Sequence, residues 1–83
     1  MSENILEVLN MYANKNRQLF VEIVKQSLNE IFGDATAETL IYYLGGNEAL
    51  NDPSTMTHKL RAILGMGADA ILRYVIKEMD KRI

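Results

Sequence analysis

The chain has 83 residues and a mass of 9.4 kDa, which limits it to a single domain over residues 1–83. It has no cysteine, 48% hydrophobic and 24% charged residues, and a net charge of −2; this excludes disulfide staples, thiolate metal sites and disorder, and gives no overall field favouring nucleic acid. One core of this size rarely supplies more than ~3–5 kcal/mol, so well-packed helices or a partner subunit must do the rest.

Helical periodicity begins at once. Ile5, Val8, Leu9 and Tyr12 recur at i, i+3, i+4, i+7, with Ser2 or Asn4 placed to cap the start. Asn14-Lys15-Asn16-Arg17 interrupts the pattern, and Phe20, Ile23, Val24, Leu28, Ile31 and Phe32 resume it. Residues 1–32 therefore read either as two helices or as one long N-terminal helix. Neither Gly nor Pro lies between the two stripes, which favours the continuous rod. Such a rod would be about 40 Å long at 1.5 Å per residue, and its spare apolar face would need another chain.

Gly33 is placed as the left-handed residue after that segment. Residues 34–83 form the bundle core. Asp34 or Thr36 caps a helix whose buried side is Ala37, Leu40, Ile41 and Leu44, and Gly45-Gly46 ends it. Asn47 to Asn51 reads as a connector holding at most one helical turn. Asp52-Pro53 is the clearest start signal: the carboxylate caps, and proline at the first helical position loses no needed donor. Met56, Leu60, Ile63 and Leu64 line that helix, and Gly65-Met66-Gly67 breaks it, with Gly67-Ala68 small enough for a close helix approach. The last helix carries Ala68, Ile71, Leu72, Val75, Ile76, Met79 and Ile83 on one stripe, with Asp69 in its first turn and Lys81-Arg82 in its last. No segment alternates with period two, so the fold class is all-α: a compact bundle of four to five helices.

The first residues, Met1-Ser2-Glu3-Asn4, are not the basic start of a signal peptide, residue 2 is not the glycine of a lipid anchor, and no apolar run approaches the ~20 residues of a membrane span. A cytoplasmic location is the expectation. No metal or cofactor is expected, because the one imidazole, His58, has no clustered ligands. Ser54 and His58 are four apart on a helix, but no third group orients the base. Glu3 and Glu7 read as solvated charge. Gly65-Met66-Gly67 lacks the strand and third glycine of a dinucleotide loop. The chain is not expected to be an enzyme.

Two kinds of contact surface remain. Ile5, Val8, Leu9 and Tyr12 offer an apolar helix face for a second copy or a partner. Of the adjacent Tyr42 and Tyr43, about 100° apart, one is expected buried and one exposed, with Tyr43 the interface candidate. The alternative is a DNA-binding regulator using Lys59, Arg61, Arg73, Lys77 and Lys81 on the last two helices, which a glycine turn joins like a helix-turn-helix. Asp69, Glu78 and Asp80 interleave with those cations and weaken this reading.

Leu40-Ile41-Tyr42-Tyr43-Leu44, Asn51-Asp52-Pro53, Leu60, Leu64-Gly65-Met66-Gly67-Ala68, Ile71-Leu72 and Ile76 together resemble the Nitrosopumilus output domain, a small helical domain of archaeal signalling proteins that often follows a response-regulator receiver. The likeness covers roughly residues 28–83 and rests mainly on packing and turn positions. It implies a non-enzymatic output or protein-interaction role and carries over no catalytic residues. No receiver is present in the 83 residues, so the resemblance implies a stand-alone version in prokaryotic signalling or regulation, acting through a signalling partner or as a homodimer.

Overall fold

Asn16 divides the N-terminal half of the chain. In a computed structural model that describes residues 4–83, this residue is extended (φ −157°, ψ 93°) and serves two helices at once. Its backbone N–H donates to Tyr12 O (3.2 Å), closing α1 (Ile5–Lys15), and its side-chain oxygen accepts from the Leu19 N–H (3.1 Å), opening α2 (Arg17–Phe32). The continuous rod is therefore corrected to two helices. The reason is dimensional as well as local. The described residues extend 31 × 26 × 21 Å, and a rod of ~40 Å would leave one end with nothing to pack against. Arg17 pins the corner, its guanidinium donating to Asn51 O and to Asn14 Oδ1 (3.1 Å). At the start of α1 the Asn4 side chain accepts from the Glu7 N–H (3.2 Å); Ser2, the other candidate cap, and Glu3 lie outside the described residues.

A single residue, Gly33, joins α2 to α3 (Asp34–Leu44). Its φ is positive as expected (83°), but its ψ of 163° makes it extended rather than left-handed helical. The end of α3 closes by a paired arrangement in which Gly46 N–H donates to Ile41 O (2.9 Å) and Gly45 N–H to Tyr42 O (3.1 Å). The connector contains one full helical turn, α4 (Asn47–Leu50), which drives Ala49 and Leu50 into the core. Asp52 then caps α5 (Pro53–Leu64): one carboxylate oxygen accepts from the Ser54 N–H (3.2 Å), the other from the Thr55 hydroxyl (2.9 Å). These hydrogen bonds, the Thr55 hydroxyl first, hold the Asp52 carboxyl below its ordinary range. Gly65-Met66 turns the chain into α6 (Gly67–Arg82). Open space surrounds Gly67, so the close approach expected there is absent.

The result is an all-α bundle of six helices with no strand among the described residues. One apolar core draws on every helix, with Leu9, Phe20, Leu28, Leu44, Leu50, Leu72, Val75 and Met79 fully buried. α1 lies against α2, α5 and α6, and α2 packs most extensively on α3. Most residues of each stripe read from the sequence face this shared interior, because burial of apolar area is the main force available to so short a chain; Ile31, Ile63 and Ile83 are corrected to exposed positions, each at the C-terminal end of its helix where the chain leaves the core. No helix among the described residues is long and apolar enough to cross a membrane.

Two polar groups sit inside this core without partners. Ser27 and Thr57 are 1% and 3% exposed, and neither hydroxyl has a hydrogen bond among the described residues. An unsatisfied buried hydroxyl costs about 1–3 kcal/mol. Thr57→Val, nearly the same shape without the hydroxyl, is therefore expected to raise stability by roughly 1 kcal/mol. A lowered urea midpoint for Thr57→Val would contradict that assignment.

Candidate interaction surface

α3 buries Ala37, Leu40 and Leu44 and turns its other side outward. At 100° per residue, Ala35, Thr36, Thr39, Tyr42 and Tyr43 fall within an arc of about 120°, and all five are exposed. Both tyrosines stand out: Tyr42 is 78% exposed and Tyr43 66%, their rings edge to face with centroids 5.7 Å apart. The expectation that one of them would be buried is corrected. The core-facing arc of α3 is narrow, and positions 42 and 43 straddle the side opposite it. Thr39 lies between the small and the large residues. Its hydroxyl donates to Ala35 O within the helix (3.1 Å), which leaves its methyl group as the outward surface.

The other interface candidates behave differently. Ile5, Leu9 and Tyr12 are buried in the core of their own chain, and Val8 is packed against it. This corrects their reading as a docking face: α1 already packs against α2, α5 and α6. Tyr43 is the one member of that candidate set open to solvent.

The five basic candidates do not gather into one free patch. Arg61 is paired with Asp69, its Nε and Nη2 both 3.0 Å from the same carboxylate oxygen, and Lys81 with Glu78 at 3.1 Å. Lys59 stands at the far end of α3, beside Gly45. Arg73 and Lys77 are exposed on α6. Phosphate binding gains from releasing counterions at free cations, and two of these five already have a carboxylate in contact.

Two further features bear on chemistry. An open groove of about 620 Å³ between α2, α3 and α4 is lined by Lys25, Asn29, Asp34, Glu38 and Asn47, with Ile41 on its floor. Ser54 and His58 both lie exposed on α5, and among the described residues no cluster of three His, Cys, Asp or Glu side chains could hold a metal ion.

Tyr74 has a structural task that its position off the α6 stripe did not reveal. Its hydroxyl donates to the Glu30 carboxylate and ties α6 to α2. That hydrogen bond, then desolvation and the charges of Glu30 and Glu78, push its pKa from 10.0 up to about 12. The protonated phenol is the form the fold favours. The tie is thus fully present below pH 10 and is lost as pH rises through about 12. Alkaline titration should show a tyrosinate absorbance step near pH 12 that Tyr74→Phe removes; persistence of the step in the variant would contradict the assignment.

No family model matches the chain, and no curated protein or solved structure shows significant similarity to it.

Proposed function

We propose that the chain is a non-enzymatic helical interaction module that docks other protein surfaces through the outward face of α3. The observation that carries this reading is the Tyr42–Tyr43 pair, two neighbouring aromatic rings held mostly in solvent by a helix whose other side is committed to the core. Tyrosine is enriched at interfaces because its ring supplies a large contact area with few rotatable bonds to order. Burial of that area contributes about 25 cal/mol per Å² before the costs of association. The resemblance to an archaeal-type output domain supports the same reading and extends it to prokaryotic signalling or regulation.

The test is retention of cellular proteins by the wild-type chain against Tyr42→Ser/Tyr43→Ser, both checked for helical content. The reading expects a protein held by the wild type and lost by the variant. Identical retention by both contradicts it.

A further inference from the structure

The face of α3 is built of two unlike halves. Its first turn presents the small side chains of Ala35, at the edge of the α2–α3–α4 groove, and Thr36, and its last presents Tyr42 and Tyr43, two largely exposed rings. Thr39 sits midway between them, both along the axis and around it. A two-fold axis crossing the helix at Thr39 maps position 35 onto the level of 43 and position 36 onto the level of 42. Seen across such an axis, residues on the same flank oppose one another. Ala35 then faces Tyr42 of the second copy, and Thr36 faces Tyr43.

Resting on the α3 docking reading, we propose that the occupant of this face is a second copy of the chain, with the two α3 helices packed antiparallel across a two-fold axis at Thr39. Each copy's rings lie over the other's small residues, so large meets small at both ends, as in a well-packed isologous contact. With the two Thr39 side chains meeting at the axis, the helix axes stand about 10 Å apart, the upper end of the usual range for packed helices. The Thr39 hydroxyl is already satisfied by Ala35 O, so covering it leaves no orphaned donor. The helix dipoles oppose, which suits antiparallel packing. Glu38 flanks the contact on each copy and sets two carboxylates on the same side, which weakens the pairing.

The area limits the strength. Two largely exposed tyrosines per copy, at about 150–250 Å² each, together with the seats they cover, give a total of roughly 1,000 Å². That total is reached only with all of these side chains covered and lies at the low end for a specific interface, so the contact is expected to be weak, with a dissociation constant on the order of 10–100 μM. The dimer is therefore weak and concentration-dependent.

The absence of cysteine gives a clean background for testing the geometry. Under mild oxidation at about 100 μM chain, a concentration set by that affinity, Thr39→Cys should form a disulfide dimer, because the two positions meet at the axis. Ala35→Cys should not, since its two copies lie about 12 Å apart along the helices, beyond disulfide reach. Sedimentation of the wild-type chain should show a monomer–dimer equilibrium that Tyr42→Ser/Tyr43→Ser weakens at least about tenfold. A wild type that stays monomeric at about 1 mM, far above that constant, overturns self-pairing, as does equal cross-linking at positions 35 and 39. Neither result touches the retention test of the docking reading, which fails only if the serine variant keeps every protein that the wild type holds.

Discussion

Replacing Leu9 with aspartate should unfold the chain. Leu9 is fully buried on α1, a helix packed against α2, α5 and α6. Removing its side chain forfeits about 3–5 kcal/mol of transfer and cavity energy, and a carboxylate in the same place adds a desolvation penalty of several kcal/mol. A domain of this size holds only ~3–5 kcal/mol in total, so the folded state disappears. Far-UV circular dichroism should report the loss of most helix, with Leu9→Ala intermediate. The outcome separates two accounts of the N-terminal helix. If its stripe were a docking face, Leu9→Asp would leave a folded, helical monomer. That result would contradict the packing described above.

Gly33→Ala should give the second-largest loss. The conformation at this single-residue junction (φ 83°, ψ 163°) belongs almost wholly to glycine, and no loop on either side can absorb a change. Holding an alanine there costs about 1–3 kcal/mol, which for a domain of this length lowers the melting temperature by roughly 5–20 °C. Space is not the issue, because a Cβ at Gly33 meets nothing within 4 Å. Gly67→Ala is the control. It too has open space, but its φ is not positive and it lies in the first turn of α6. There alanine should stabilise by about 0.5–1 kcal/mol through lost freedom in the unfolded chain. Two equal melting shifts of the same sign would contradict the backbone argument.

These two variants also mark where the sequence was informative. The stripes of the five longer helices were visible as periods, because a short chain must aim its apolar residues at one interior, although Ile31, Ile63 and Ile83 kept the period and are exposed. The signals at Asp52-Pro53 and Gly45-Gly46 named their own turns, since each needs a particular residue type. The partner of each stripe was hidden. Period alone says that Ile5, Leu9 and Tyr12 are covered, and is silent on whether the cover is α5 and α6 or another chain. The break at Asn16 was hard to read for a related reason. Asparagine ends and starts helices through one side-chain oxygen, a quieter signal than glycine or proline, and it took the 31 Å limit of the fold to make the break necessary.

The surface was less legible still. Spacing placed Tyr42 and Tyr43 on different sides of a helix, yet both reach solvent because Ala37, Leu40 and Leu44 occupy so narrow an arc. The role of Tyr74 depends on Glu30, which lies 44 positions away in the chain, and no local pattern encodes such a pairing. The buried hydroxyls of Ser27 and Thr57 ran against the usual placement of polar residues. Only packing exposes them.

The central claim is that one chain closes its own core and keeps the α3 tyrosines for contact with others. Thermal unfolding as a function of chain concentration tests it most directly, between about 0.1 and 10 μM, below the range where weak self-pairing counts. A midpoint that stays constant over that hundredfold dilution is the result expected of a self-sufficient monomer. A midpoint that falls steadily on dilution would mean that a second chain completes the core, and would contradict the account.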